Sequence, residues 1–257
     1  MPAPRVYKAA AIVLRQRKLG EADKILTLFT ANHGKLDAVA KGVRRPTSKL
    51  AGHVEPLTYS TFLLAQGREL DIVTQAETME PLTSLREDLE RLGRGLYAAE
   101  LADRLTPDRQ ESYPLFRLLL ETLRCLATRD DLDLALRYFE VQLLDELGYR
   151  PQLDHCVSCE AALEATSNSW SAAAGGVLCP ACAADDSLAR ELSLGALKVL
   201  RLLQRGGFAD ATRVRIAGAL AEELERHLRE YIRYVLERDL RSAAFLDTLR
   251  RRKAVHT

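Results

Sequence analysis

No stretch of this 257-residue chain approaches the ~20 consecutive apolar residues that crossing a bilayer takes, so membrane insertion is a poor reading. The start, Met1-Pro2-Ala3-Pro4-Arg5, lacks the apolar run of a secretory signal, and a reducing, cytoplasmic setting is expected. In that setting five cysteines point to metal and not to disulfides. The common enzyme motifs are missing as well. There is no G-x-x-x-x-G-K-[ST] phosphate loop, no G-x-S-x-G elbow, no H-E-x-x-H helix and no G-x-G-x-x-G dinucleotide turn, so the chain is read as a non-enzyme. Aromatics make up only 6% of the chain, and the first 80 residues offer Tyr7, Phe29, Tyr59 and Phe62, several of them beside core-type leucines. That leaves little material for base-stacking platforms.

What is there suits two compact domains, at 47% hydrophobic and 28% charged residues. The net charge of +1 conceals a strong asymmetry. Residues 1–50 carry eleven Lys and Arg against three Asp and Glu, a local net charge of +8, whereas residues 51–100 carry four against nine, a net −5. A nucleic-acid site needs positive charge locally and not in total, so the first segment is the candidate.

Up to about Glu80 the pattern is short β-leaning runs broken by turns: Tyr7–Leu14, Lys24–Thr30, Lys35–Val43, Val54–Leu64 and Glu69–Glu77. Five strands in so few residues favour a closed OB-type barrel, because an open sheet would leave long unpaired edges. After Pro81 the period becomes helical. Ser84 followed by Glu87 reads as a capping box, Leu85, Leu89, Leu92 and Leu96 recur at helical spacing, and further helices are expected near 113–128, 132–147, 194–204, 212–239 and 242–252. Gly93-Arg94-Gly95, inside one helical stretch, suggests close helix packing. The expected organisation is α+β: a five-stranded barrel over 1–80, then a helical domain over 81–257 that carries an insert at 154–185.

That insert holds Cys156-Val157-Ser158-Cys159 and Cys179-Pro180-Ala181-Cys182, two C-x-x-C pairs at zinc-site spacing. Two-residue gaps let both thiolates of a pair reach one ion, and tetrahedral Zn²⁺ accepts four. Four thiolates fill the shell and leave no position for a reactive water, so a structural ion at Cys156, Cys159, Cys179 and Cys182 is expected. His155 is a lesser competitor for Cys156. His53-Val54-Glu55 resembles part of a deaminase signature but fails it, because Leu178 and not Pro precedes Cys179. Cys125, among helical leucines, reads as a core residue.

Lys35, Lys41, Arg44, Arg45 and Lys49 run from a strand into a loop with Gly42 and Pro46, and Arg15, Arg17 and Lys18 lie near the first strand connection. Any one of these is most simply a solvated surface charge. As a group they suit electrostatic, salt-sensitive phosphate tracking. The terminal Arg250-Arg251-Arg252-Lys253 could extend such a path or be a charged tail.

These residues resemble the RecO family of bacterial recombinational repair proteins. The resemblance lies in Gly20–Thr30 with Gly34-Lys35 and Lys41–Arg45, in Phe139-Glu140 through Leu147-Gly148-Tyr149 and Pro151, and in the position of the paired C-x-x-C. It implies an OB fold, a helical domain and a zinc insert. It further implies binding of single- and double-stranded DNA, strand annealing, partnership with RecR, contact with the tail of single-stranded-DNA-binding protein (SSB), and through these the loading of RecA in the nucleoid. DNA contact carries over by resemblance to Lys35, Lys41, Arg44 and Arg45; for Arg15, Arg17, Lys18 and Lys49 it rests on charge alone. The rival reading is a protein-interaction adaptor without direct DNA binding.

Overall fold

The structure, a computed structural model, describes residues 5–211, 214–237 and 240–255. The chain divides into two compact units, one running to Arg129 and resuming at Arg241, the other spanning Asp130–Leu240.

In the first unit, β1 (Val6–Leu19), β2 (Asp23–Thr30), β3 (Gly34–Ala40), β4 (Tyr59–Ala65) and β5 (Asp71–Glu80) close into a barrel of order β1-β2-β3-β5-β4. The expected five-stranded OB-type barrel is therefore present. Alternation along each strand explains it, since Ala9, Ala11, Val13, Leu26, Leu28, Leu36, Ala38, Phe62, Leu64 and Val73 point inward to one buried cluster. The small residues on β1 and β3 let so narrow a barrel be filled.

Strand β1 runs five residues past the expected Leu14. Arg15, Gln16, Arg17 and Lys18 look like a polar connection in sequence, but they pair with Thr27, Leu26, Ile25 and Lys24 of β2 across a register shift. The run expected from Val54 yields a strand only from Tyr59, because residues 54–58 bend and turn, with Leu57 at a φ of 65°. Gly34 opens β3 at a φ of +64°, and a Cβ there would lie 2.3 Å from the Gln110 carbonyl oxygen. Only glycine lets the 106–112 segment cross the barrel this closely.

Helices α1 (Thr83–Glu87), α2 (Leu89–Leu105) and α3 (Tyr113–Thr128) follow. The capping box expected at Ser84 is not formed. The Ser84 hydroxyl donates to the Ala127 carbonyl at 3.0 Å, α1 stops after Glu87, and Asp88 caps α2 by accepting from the Arg91 N–H at 2.9 Å. Ser112 caps α3 in the usual way, accepting from the Leu115 N–H.

The second unit holds α4 (Leu132–Glu146), a three-stranded sheet of β6 (Asn168–Ser171), β7 (Gly176–Leu178) and β8 (Arg190–Leu192) in the order β7-β6-β8, the short α5 (Pro180–Ala183), α6 (Leu194–Arg205), α7 (Phe208–Ala211) and α8 (Gly218–Leu236). Asp131 and Ser193 cap α4 and α6. The helix expected from 212 begins at Gly218; residues 212–213 lie outside those described. The last helix, α9 (Arg241–Val255), returns to the first unit and packs on α2. Gly93 explains the fit, since a Cβ there would sit 2.8 Å from Leu246 and 3.1 Å from Leu249, so its role is the close helix packing expected. Among the described residues, no helix is long and apolar enough to cross a membrane.

Candidate nucleic-acid interface and metal centre

The first C-x-x-C pair sits on a tight turn that its own backbone closes. The Glu160 N–H donates to the Cys156 carbonyl at 2.9 Å, Cys156 N–H to the Ala161 carbonyl at 2.8 Å and Val157 N–H to the Val177 carbonyl at 3.0 Å. Glu160 takes a φ of 60° to turn the chain back. The second pair follows β7, with Cys179 leading into α5 and Cys182 on it. The four sulfurs lie within 4.8 Å of one another, and Cys159 Sγ is 3.9 Å from Cys179 Sγ. Tetrahedral zinc with bonds of about 2.3 Å sets its sulfurs roughly 3.8 Å apart, so this cage needs only slight contraction to hold it. The cluster contains the four cysteines alone, without the lesser candidate His155.

Ionisation in the cage is uneven. Burial opposes the Cys156 thiolate, but backbone N–H groups of Cys159, Cys179 and Ser158 outweigh it and bring that thiol down to about 6. For Cys182, a hydrogen bond from Ser158 favours the thiolate, yet the neighbouring Cys159 and Cys179 prevail and push it up to about 12. Four thiolates so close cannot all be charged without a cation among them, which makes the donor set suited to a soft divalent ion.

The sheet beside the cage is anchored by a single large side chain. Trp170 is fully buried, packing edge-on against Tyr231 with ring centroids 5.6 Å apart and lying 5.8 Å from the ring of His227. His227 Nε2 pairs with the Glu191 carbonyl at 3.1 Å, and burial, then the Arg226 charge, lower its pKa below 6.5. Glu223 accepts from both the Ser193 N–H and hydroxyl, at 2.7 and 2.8 Å. On the same unit, Leu188 and Tyr234, both exposed, flank a groove of about 320 Å³ floored by Ala172 and Ala173. Arg190, held at 3.1 Å by Glu230, and Arg233 sit at its rim.

The basic segment of the barrel falls into two groups. Arg15 Nε donates to Asp103 at 2.7 Å, and Arg17 Nη2 to Asp37 at 3.1 Å. Lys35 is buried: its ammonium donates to the Asp103 carbonyl and pairs with Asp103 and Asp108 carboxylates at 3.4 and 3.3 Å. The structure thus withdraws Lys35 from the surface, where a phosphate contact would need it. Asp103 and Asp108 lie 68 and 73 residues further along the chain, and no local signal in the sequence announces them.

The second group gathers where the chain leaves β3. The Gly42 N–H donates to Asp23 at 2.7 Å, Arg44 N–H to the Ala22 carbonyl at 2.9 Å and Arg44 Nη1 to the Gly20 carbonyl at 3.2 Å. The 41–48 loop is thereby folded back onto the β1–β2 turn, and inner turns from Arg45 N–H to Gly42 and Ser48 N–H to Arg45 hold its shape. Lys18, Lys41, Arg44, Arg45 and Lys49 are all exposed, and none has a carboxylate within ion-pairing distance among the described residues. Lys18 stands opposite Lys24 in the strand pairing, a like-charge pair that costs a little stability and raises the local potential, with Lys24 only loosely matched by Glu55 at 3.8 Å. Elsewhere on the barrel, His53 is occupied with Thr78 at 2.7 Å, and Tyr59 and Phe29 pack around Phe116 of α3, which leaves no stacking platform among them. The side chains of Arg250, Arg252 and Lys253 lie outside the described set.

Comparison with known proteins gives a consistent answer. Residues 4–82 match the family model for the N terminus of recombination protein O, and residues 86–244 the model for its C terminus. The chain is 47% identical over 246 residues to the DNA repair protein RecO of Roseiflexus sp. strain RS-1, spanning 96% of this chain and 87% of that one. It is 44% identical over 243 residues to that of Pelotomaculum thermopropionicum, spanning 95% and 94%, and 39% identical over 250 residues to that of Dehalococcoides mccartyi strain BAV1, spanning 97% and 98%.

Proposed function

The chain belongs to the recombination protein O family, and from that premise we propose that it is a DNA repair and recombination mediator that binds single- and double-stranded DNA, anneals complementary strands and, with RecR, helps load RecA onto SSB-covered DNA. The observation that carries this reading is the cluster of cations, without carboxylate partners among the described residues, formed where the 41–49 loop folds onto the β1–β2 turn. Annealing needs no bond-making residue. Two strands repel through their phosphates, and a cationic edge that neutralises both lets them stay close long enough to find register.

On this reading residues 1–80 are the DNA-binding domain, Lys18, Lys41, Arg44, Arg45 and Lys49 make the main phosphate contacts, and Arg15 and Arg17 join at the margin by exchanging a carboxylate for a phosphate. Lys35 fastens the barrel to α2 and contacts DNA only through the fold it maintains. The region 81–257 carries the partner surfaces, and its insert at 154–185 holds a structural Zn²⁺ through Cys156, Cys159, Cys179 and Cys182. When bound, that ion supplies a rigid link between the two C-x-x-C turns. The protein works in the bacterial cytoplasm at the nucleoid.

The groove between Leu188 and Tyr234 favours a second reading, in which the chain is chiefly an adaptor. The acidic, apolar-ended tail of SSB matches apolar walls with Arg233, which has no ion-pair partner among the described residues, at the rim. One experiment separates the two: fluorescence titration with a single-stranded oligonucleotide over a salt series, alongside an annealing assay. Micromolar or tighter binding that weakens steeply with salt, together with faster annealing, is expected. Absent binding at low salt leaves the adaptor reading.

A further inference from the structure

We propose that the four-cysteine cage is also a site of oxidation by hydroperoxide, in which Cys159 is the sulfur attacked and Cys179 the sulfur that resolves it, closing a disulfide between the two C-x-x-C turns and releasing the metal. This rests on the metal-binding reading above. Three observations single out this pair. Cys156 is 1% exposed and its sulfur accepts the Cys179 N–H at 3.3 Å, so it is shielded and its lone pair engaged. Cys159, at the outer end of the same turn, is exposed to solvent. Its sulfur lies 3.9 Å from Cys179 Sγ, across the gap between the turns and not within one of them.

The chemistry closes without another reactant. The Cys159 thiolate attacks one peroxide oxygen, the O–O bond breaks and hydroxide departs, leaving a sulfenic acid. The Cys179 thiolate attacks that sulfur, the S–O bond breaks and a second hydroxide leaves, so two sulfurs have given two electrons to one peroxide. Both hydroxides take protons from solvent. Only Cys156 and Cys182 then remain as ligands, too few for a closed tetrahedral shell, and the ion dissociates. The product is not an open insert. The new bond spans the 20-residue separation between Cys159 and Cys179 and encloses β6 and β7, so it joins the two turns as the metal did. Pairing Cys156 with Cys159 would instead pull a buried sulfur out of its hydrogen bond and leave the turns unconnected.

The test uses the full chain. Zinc is first counted by mass spectrometry; absence of a bound equivalent refutes the metal reading and with it the release step, and the disulfide mapping on the zinc-free chain then decides the Cys159–Cys179 oxidation by itself. Hydrogen peroxide is then added, released zinc is followed with a colorimetric chelator, and alkylated peptides are mapped. The expected result is release of one equivalent, a dominant Cys159–Cys179 linkage, reversal by dithiothreitol with added zinc, and unchanged release in Cys125→Ser. In Cys159→Ser, release is expected to be at least tenfold slower. A dominant Cys156–Cys159 or Cys179–Cys182 linkage overturns the proposal, as does peroxide resistance of the zinc-loaded chain. The mapping is done on the unaltered protein, so a variant that fails to take up zinc does not obscure the answer.

Discussion

The cationic edge of the barrel and the four-cysteine insert stabilise themselves by opposite means. The barrel buries a continuous apolar cluster inside a ring of backbone hydrogen bonds, so its surface can carry unpaired charge at modest cost. The insert has two short strands, β6 and β7, and a small core of Trp170, Val177 and Leu178, so its shape leans on four sulfurs being held together. The contrast predicts that charge can be altered on the first without loss of fold, whereas removing a sulfur from the second unsettles it. Small elements around a four-cysteine cluster are therefore weak evidence of chemistry, and cations without carboxylate partners among the described residues of a well-packed barrel are stronger evidence of a ligand.

The largest effect that would test this contrast is loss of the ion. Chelation, or Cys179→Ser, is expected to destabilise the insert by about 3 kcal/mol or more while oligonucleotide affinity at fixed salt stays within twofold. A melting profile unchanged by chelation would break the comparison. Next, Lys35→Met removes a buried cation from two carboxylates and should cost about 2–3 kcal/mol in denaturant unfolding. Its affinity for DNA, measured well below the melting point, should change little.

The double variant Arg44→Glu with Arg45→Glu should do the reverse, with about a thirtyfold loss of DNA affinity and a parallel loss of annealing at unchanged melting temperature. Unaltered annealing at matched salt would sink the assignment. Replacing Lys41, Arg45 and Lys49 by Gln should lower the slope of log affinity against log salt by roughly 2 on single strands.

The smallest effect concerns His227. Its imidazole is held below 6.5 in the fold, so the unfolded chain takes up a proton that the folded chain refuses; stability is level above about pH 6.5 and falls as pH drops further. Zinc-loaded His227→Gln should show a shallower fall between pH 6.5 and 5 than the unaltered protein, a difference of a few degrees at most.

Local patterns carried much of this into the sequence. The C-x-x-C spacing brings four sulfurs together because turn geometry is decided by neighbours, and the starts of α3, α4 and α6 follow from Ser112, Asp131 and Ser193 in the same way. What was illegible depended on distance along the chain. Arg15, Arg17 and Lys35 look like Lys41 and Lys49 until Asp103, Asp37 and Asp108 are placed beside them. Ser84 reads as a cap until the Ala127 carbonyl is found within its reach. The polar end of β1 reads as a connection because its apolar alternation stops at Leu14, whereas its pairing with β2 does not.

The return of α9 to the first unit has a consequence for how the protein is made. Asp130–Leu240 is contiguous and can collapse as soon as it leaves the ribosome, but the unit containing the barrel is interrupted by it and lacks a helix until residues 241–255 emerge. Until then Gly93 and its neighbours on α2 present an uncovered apolar seam to the cell. At translation speeds of about 5–20 residues per second, that seam stays open for roughly 8 to 30 seconds after α2 is synthesised. The part of the chain that is born first is therefore the last to be finished.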